Sequence, residues 1–415
     1  MKKFLIKLFA FSLVSGSLVI TSGCSTEANN SHSSSPVEDN SINAIIGDVA
    51  TEINSNDNDT SNDEINTENQ DIELNSGDTI TVIDHAGNEV IVPAEINRIV
   101  VGGILPLPSV LTVFFDSAEK IVGMSPASMT AAENGLLGEL YPEILNAETD
   151  FIDGSVLNIE EVIALNPDVF FYSAGSTQMA EQLEEAGIPA VAISVNKWEY
   201  NTIETLNNWI DLLSEMFPEN DKAEICRNYS NNIYNMIQEK VADIPDDERE
   251  EVFFLFQYSD SEISTSGKSF FGQFWADAIG AKNVAEEITT DNSVVISMEQ
   301  IYNWNPSLIF ITNFTSAQPE DIYNNTIGTY DWSAIQAIEN ERIYKMPLGM
   351  YRSYTPGVDT PITLMWLAKS AYPEIFADID ITQETKNYYQ EVFNITLTDE
   401  QAESIFTPVS AASAF

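Results

Sequence analysis

Residues 159–172 read IEEVIALNPDVFFY, and this stretch decides the fold. Its first seven residues carry apolar side chains at helical spacing, Asn166-Pro167 interrupts them, and an apolar run follows. The residue before a proline disfavours the helical conformation, and short apolar runs suit buried strands. The stretch therefore predicts a helix, a tight turn and a strand, in that order.

The same order recurs 139 residues later, where residues 298–311 read MEQIYNWNPSLIFI. Each half also has an Arg-Ile strand that runs to glycine, from Arg98 to Gly102 and from Arg342 to Gly349. Helices that alternate with short apolar strands are typical of α/β sheets. The repeat thus predicts two similar α/β lobes with a ligand cleft between them.

A third segment lies between the halves, where apolar residues fall at intervals of four: Ile225, Tyr229, Ile233, Ile237 and Val241. The stripe predicts a helix of about 25 residues, which would span about 38 Å. Such a helix can join the lobes, although packing within one lobe explains the same periodicity. We predict a single long backbone helix within linking helices at 201–250, an N-terminal lobe at 79–200 and a C-terminal lobe at 251–415.

Charge and composition exclude several classes of function and of structural site. The chain has 17 Lys and Arg against 65 Asp and Glu, a formal charge of −48 that repels nucleic acid phosphates. Its 44% hydrophobic content is enough to fill cores. With Cys24 and Cys226 as the only cysteines, and with two histidines, the sequence offers no four-ligand zinc set and no disulfide framework. His85 stands in a predicted hairpin turn, and no metal site is expected.

The first 24 residues resemble a lipoprotein signal peptide. Lys2, Lys3 and Lys7 surround the start of an apolar run from Phe4 to Ile20 that is too short for a stable membrane span. The run ends at residues 21–24, Thr-Ser-Gly-Cys, which resemble a bacterial lipoprotein cleavage box although Thr21 replaces the usual larger aliphatic residue. Cys24 would then carry the lipid. An ordinary secretory signal with an incidental cysteine is the alternative.

Residues 25–78 have the composition of a disordered acidic tether. They contain 13 acidic side chains, no Lys or Arg, and many Ser, Asn and Thr. Such a segment cannot bury enough apolar area to offset the entropy of ordering the chain. We expect it to link a lipid anchor to the folded lobes.

Several segments of the body carry a family resemblance. They are residues 80–93 with RIVV at 98–101, LNIE at 157–160 leading to Pro167-Asp168, TSGK at 265–268, and WLAK at 366–369 leading to YPEIF at 372–376. In this order they resemble the substrate-binding proteins of ABC importers for iron-siderophores, haem and cobalamin, over about residues 79–405. The resemblance implies two lobes joined by one backbone helix and a membrane permease as partner.

The resemblance also implies roles for two acidic residues. By motif, Glu160 and Glu299 correspond to glutamates that pair with arginines of the permease. Exposed carboxylates on separate lobes can each accept two hydrogen bonds from an arginine and fix the docking orientation. Solvated acids favoured by the positive end of a helix are the alternative.

Candidate ligand residues follow from the strand ends, because α/β sheets bind ligands beyond the carboxyl ends of their strands. The loops concerned are Gly102 to Leu105, Tyr172 to Gly175, Tyr258, Asn313-Phe314 and Tyr351 to Tyr354.

Within these loops, Arg352 suits a carboxylate, catecholate or oxoanion. A surface arginine paired with an acid is the alternative for Arg352. The tyrosines Tyr172, Tyr258, Tyr351 and Tyr354 could stack on a chelate or ligate iron, or simply pack. The resemblance implies that the loop of Lys268 lies near the cleft, so Lys268 would be at most a secondary anion contact.

The sequence thus predicts a lipid-anchored, monomeric receptor on the outer face of the cell membrane. It would capture an iron chelate of the siderophore type and deliver it to an ABC permease. Molybdate or tungstate, haem and cobalamin are alternative ligands, and a structural surface lipoprotein is the alternative of another class. Neither a resident cofactor nor catalysis is expected, because the sequence has no G-x-S-x-G elbow and the body's only histidine is His85.

Overall fold

The structure is a computed structural model that describes residues 79–220 and 222–413. The signal peptide predicted at 1–24, with Cys24, and the tether predicted at 25–78 lie outside the described residues. Within the described part, no helix combines the length and apolarity that crossing a bilayer requires.

The N-terminal lobe alternates strands and helices. Its strands are β1 (Thr79–Ile83), β2 (Glu89–Pro93), β3 (Ile99–Val101), β4 (Ile121–Met124), β5 (Ile152–Asp153), β6 (Val156–Leu157), β7 (Val169–Ser173) and β8 (Ala190–Ile193). Its helices are α1 (Leu107–Phe115), α2 (Pro126–Asn134), α3 (Leu136–Leu140), a 3-10 helix (Pro142–Asn146), α4 (Ile159–Leu165) and α5 (Thr177–Glu185). Strands β4, β3, β7 and β8 form a parallel sheet in that order, and β1 and β2 form the predicted hairpin.

Two helices lead to the C-terminal lobe: α6 (Thr202–Met216) and α7 (Lys222–Val241), followed by a 3-10 helix (Asp246–Glu248). The C-terminal strands are β9 (Glu251–Tyr258), β10 (Ile263–Ser266), β11 (Lys282–Asn283), β12 (Ser293–Val295), β13 (Leu308–Ile311) and β14 (Ile343–Lys345). The helices are α8 (Phe271–Ala278), α9 (Met298–Trp304), α10 (Pro319–Tyr323), α11 (Gln336–Glu339), α12 (Thr360–Ala371), α13 (Ile381–Phe393), α14 (Asp399–Ser404) and a 3-10 helix (Ser410–Ser413). The sheet order is β12-β10-β9-β13-β14, with β9, β13 and β14 parallel and β11 paired to β9.

The two sheets share a core. Side chains alternate across a strand, so Phe171 of β7 and Phe254 of β9 belong to one large buried cluster that reaches both lobes. Their neighbours Phe170 and Phe253 face away from it, into a separate cluster for each lobe. The predicted two-lobed α/β architecture is confirmed, and one continuous core connects the lobes.

The linking helix differs in detail from the prediction. Helix α7 has 20 residues, hence a length of about 30 Å rather than 38 Å. Its buried residues are Cys226, Ser230, Ile233, Ile237 and Val241. Ile225 is 42% exposed. Residues four apart are displaced by about 40° around a helix of 3.6 residues per turn. The predicted apolar stripe therefore turns away from the buried face, and its first residue, Ile225, was wrongly assigned to it.

Hydrogen bonds also join the lobes. The Leu136 N–H donates to the Gly349 carbonyl at 3.0 Å. The Tyr200 hydroxyl donates to the Asp291 carbonyl at 2.8 Å, and its ring contacts Phe271 at a centroid distance of 4.9 Å. These contacts hold the two lobes against each other.

Candidate functional site

A narrow cleft between the lobes collects loops from both sheets. It is lined by Gly103, Ile104, Leu105, Pro106, Val195, Phe271, Phe314 and Thr355, and encloses about 310 Å³, counting space open to solvent. The loop after β3 and Phe314 after β13 were both predicted from their strand ends. The cleft therefore lies beyond the carboxyl ends of parallel strands of both sheets, β3 in the N-terminal lobe and β13 in the C-terminal lobe.

Two glycines bring the backbone of the N-terminal lobe to the cleft wall. A Cβ on Gly102 would lie 2.6 Å from Cζ of Phe170, so only glycine fits against that ring. Gly103 has φ +80°, a conformation that costs other residues strain. Helix α1 begins just beyond them, so the N-terminal wall consists mainly of loop backbone and small apolar surface.

Arg352 is buried directly behind the C-terminal wall. It is 1% exposed, and its guanidinium carbon lies 5.4 Å from the Phe314 ring centre and 5.8 Å from that of Tyr351. Its Nε donates to the Ala412 carbonyl at 3.2 Å. Burial lowers the pKa of Arg352, whereas the neighbouring Tyr351 raises it. Arg352 thus contacts a ring that lines the cleft without belonging to the lining itself.

A second buried cation, Lys345, supports the loop that carries Phe314. The Nζ of Lys345, at the end of β14, donates to the carbonyls of Thr312, Thr315 and Ala317 at 2.8, 2.6 and 2.9 Å. Burial, and then the charge of Arg352, lower the pKa of Lys345 to about 7. Lys345 therefore holds the loop at 312–317 in place, close to Arg352.

The tyrosines beside Arg352 are both buried. Burial raises the pKa of Tyr351 to about 12, and the nearby Arg352 opposes this shift. The Tyr354 hydroxyl contacts the Ser266 hydroxyl, and the Tyr354 carbonyl accepts from Trp275 Nε1 at 2.9 Å. Tyr354 therefore packs inside the shared core, whereas Tyr351 lies next to the cation.

The other sequence candidates lie away from the cleft lining. The Tyr258 hydroxyl donates to the Ile327 carbonyl and accepts from Trp332 Nε1, both at 3.0 Å, within the core of the C-terminal lobe. Tyr172 lies in the separate cluster of the N-terminal lobe, and burial raises its pKa. Lys268 is exposed. The structure does not gather these three residues with Arg352.

Sequence reasoning missed several site residues. Val195, Phe271 and Thr355 line the cleft, and Lys345 supports it. Thr355 could have been included because it follows Tyr354 directly. The one signal for Lys345 was a lysine at the end of a short strand that leads out of a buried sheet. The burial of Lys345 depends on a distant loop and was not visible in the pattern.

The repeated helices α4 and α9 begin and end alike. The side chains of Asn158 and Ser297 cap their N-termini, and Asn166 and Asn305 end them at φ 47° and 44°. A tight turn joins each helix to a strand that ends at the cleft edge. Each helix therefore runs in the opposite direction to its strand and begins near that edge. The exposed first turns, with Glu160 and Glu299, therefore lie on the cleft side of their lobes.

Comparison with known proteins identifies the family. Residues 138–348, just over half of the chain, match the family model described as periplasmic binding protein. The chain belongs to this family. A periplasmic solute-binding protein from Veillonella parvula has a similar crystal structure, with 30% identity and a TM-score of 0.70, covering 79% of this chain and 97% of that one. The predicted family relationship is confirmed.

Two curated proteins are also similar. The molybdate-binding protein MolA of Haemophilus influenzae is 24% identical over 339 residues, which cover 77% of this chain and 93% of MolA. Its molybdate-bound structure has a TM-score of 0.64. An ABC transporter substrate-binding lipoprotein of Bacillus subtilis, YvrC, is 24% identical over 303 residues, covering 72% of this chain and 87% of YvrC.

These relationships fix the class of protein. This member of the periplasmic binding protein family is an extracytoplasmic substrate-binding receptor of an ABC importer. The family consists of solute-binding proteins rather than enzymes. A permease and a small solute are therefore its partners, and the identity of the solute is a separate question.

Proposed function

We propose that this receptor captures a small oxoanion of the molybdate or tungstate type and delivers it to its ABC permease. One observation carries the proposal: the buried guanidinium of Arg352, with the buried amine of Lys345 near it, lies next to a small cleft whose described lining contains no carboxylate.

Electrostatics favours an anion at this place. The chain as a whole carries a charge of −48, which repels anions unless positive charge is concentrated locally. Arg352 and Lys345 lie close enough for the charge of Arg352 to lower the pKa of Lys345. An anion in the cleft would relieve that repulsion, because a buried charge interacts strongly through a low-dielectric wall.

The proposed contacts divide between the two walls. The loop at 103–106 offers backbone groups, and Thr355 offers a hydroxyl that bonds the Arg352 carbonyl at 3.4 Å. Arg352 and Tyr351 act from behind Phe314, or contact the ligand after a small movement of that ring. The similarity to a molybdate-binding protein over most of both chains supports the same ligand class.

An iron chelate is the second candidate, because Phe271 and Phe314 present two aromatic rings to the cleft. Such rings can stack on a catecholate or a porphyrin. Tyr172, Tyr258, Tyr354 and Lys268 stay predictions as contacts for a larger ligand of this kind.

Thermal unfolding of the purified protein tests the ligand. The panel consists of molybdate, tungstate, a ferric siderophore, haemin and cobalamin. At about 100 times its dissociation constant a true ligand stabilises the protein by about 2.7 kcal/mol. We expect a shift with an oxoanion that Arg352→Gln loses and that Arg227→Gln keeps, since Arg227 is an exposed partner of Asp211. A shift with the siderophore alone would favour the second candidate.

We also propose how the receptor meets the membrane. Cys24 carries a lipid, the segment at 25–78 is the tether, and Glu160 and Glu299 bind arginines of the permease. Cys24→Ala should release the protein from the membrane fraction. Glu160→Gln with Glu299→Gln should weaken permease binding and leave ligand binding unchanged, because both side chains are exposed outside the cleft lining.

A further inference from the structure

An exposed valine precedes each proposed docking glutamate by four residues. Val156 is 62% exposed and Val295 is 63% exposed. The offset between the two valines is the same 139 residues that relates Glu160 to Glu299. The most exposed apolar positions of the two lobes thus occupy equivalent places in the repeat.

A second apolar residue follows each glutamate by three. Ile163 and Tyr302 are exposed large apolar residues, again 139 positions apart. Residues three apart lie on the same face of a helix, so each glutamate has an apolar neighbour on its own face. Among the described residues, nine large apolar side chains are strongly exposed, and four of them belong to these two sites.

Local folding explains why the valines point outward. Leu157 and Ile296 precede the capping residues and join the buried clusters that contain Val162 and Ile301, four residues into each helix. This hydrophobic staple fixes the direction in which the chain enters each helix. Alternation along the strand then directs the preceding valine to the opposite, solvent side.

The repetition distinguishes these residues from ordinary exposed apolar side chains. A single exposed valine or isoleucine is common on protein surfaces and needs no explanation. Here the helices differ at most positions, reading IEEVIAL and MEQIYNW, yet exposed apolar residues flank the glutamate in both. Two sites built alike fit a partner that presents the same surface twice.

We propose that each lobe binds the permease through a docking unit of one carboxylate and two apolar side chains. The units are Val156, Glu160 and Ile163 in the N-terminal lobe, and Val295, Glu299 and Tyr302 in the C-terminal lobe. Each fits a basic side chain surrounded by an apolar socket on the permease. This inference rests on the proposed docking role of the two glutamates.

The apolar residues of each docking unit would add binding affinity that an exposed ion pair alone does not provide. A solvent-exposed ion pair contributes only about 0–1 kcal/mol and weakens with salt. Apolar contacts around a charged pair exclude water, which strengthens it and adds affinity of their own. The docking units therefore retain part of their affinity at high salt.

Site-specific photocrosslinking in the native cells tests the contact. The photoreactive amino acid p-benzoyl-phenylalanine replaces Val156, Val295 or, as a control, Ile91, which is 60% exposed on the N-terminal hairpin. We expect the first two positions to crosslink to the same multi-span permease and the control position not to. Equal crosslinking from all three positions, or none from the first two, would overturn the proposal.

Binding to that permease in nanodiscs separates the two components. Val156→Ser with Val295→Ser should weaken binding tenfold or more, and the control pair Ile83→Ser with Ile91→Ser should not. If the valine pair binds like the wild type while Glu160→Gln with Glu299→Gln loses affinity, the apolar component is wrong and docking by the glutamates stands. If neither pair loses affinity, both proposals fail.

Discussion

The guanidinium carbon of Arg352 lies over the Phe314 ring, 5.4 Å from its centre, and Phe314 lines the cleft. A cation–π contact that is shielded from water is worth about 2 kcal/mol. The aromatic wall of the cleft and the buried charge behind it therefore form one unit. Changing either should alter both the stability of the loop at 312–317 and the affinity for an anion.

Phe314→Leu tests this coupling between loop stability and anion affinity. The change keeps an apolar wall but removes the ring, so we expect a loss of about 1–3 kcal/mol in the free energy of unfolding and a weaker oxoanion affinity. The control is Phe376→Leu, because Phe376 is buried with Lys240 5.6 Å from its ring centre, far from the cleft lining. The control should lose similar stability in denaturant melts and keep its affinity. Equal affinities of the two variants would contradict the coupling.

Lys345 should make stability rise with pH above neutrality. Its pKa of about 7 in the folded protein is below the ordinary value of 10.5, so the unfolded chain binds more protons between these values. Relative to Lys345→Met, the wild type should gain up to about 1.4 kcal/mol per pH unit between pH 7 and 9. Urea unfolding of both proteins across this range measures the difference. Parallel pH profiles would show that Lys345 keeps an ordinary pKa.

Asp359 should have the opposite effect at acidic pH. Burial raises its pKa to about 6 although the Met350 N–H at 2.7 Å and the Tyr389 hydroxyl both donate to it. The folded state then binds more protons between pH 4 and 6, so stability falls as pH rises through this window. Asp359→Asn should remove a change of about 3 kcal/mol. Unchanged pH dependence in the variant would refute the assignment.

Glu199→Gly should stabilise the protein. Glu199 is exposed and has φ +53°, a left-handed conformation that costs a non-glycine residue about 1–2 kcal/mol. Glycine adopts this conformation without strain. Because glycine also makes the unfolded chain more flexible, the net increase in the free energy of unfolding should be about 0.5–1 kcal/mol. Glu204→Gly, in the first turn of α6, is the matched control and should destabilise. A lower melting temperature for Glu199→Gly would contradict this prediction.

The sequence predicted the repeated helices because their signals are local. Asn166 and Asn305 adopt left-handed φ and a proline follows each, so the turns are encoded within three residues. The cleft loop at Gly102 to Leu105 was predictable for a similar reason, since glycines directly follow a buried strand.

Long-range packing was not predictable in this way. Lys345 is a buried cation only because the carbonyls of a loop 28–33 residues earlier accept its hydrogen bonds. Phe271, at the start of helix α8, and Thr355, in a loop, reach the cleft through tertiary packing. The exposure of Ile225 depends on how α7 rotates against its neighbours, which a spacing of four residues does not determine.

Calorimetric titration of the purified receptor with molybdate tests the central claim most directly. We predict saturable binding of one molybdate per chain, weakened at least tenfold in Arg352→Gln and unchanged in Arg227→Gln. Saturable binding of a ferric siderophore, with no heat from molybdate or tungstate, would contradict the claim that this cleft selects an oxoanion.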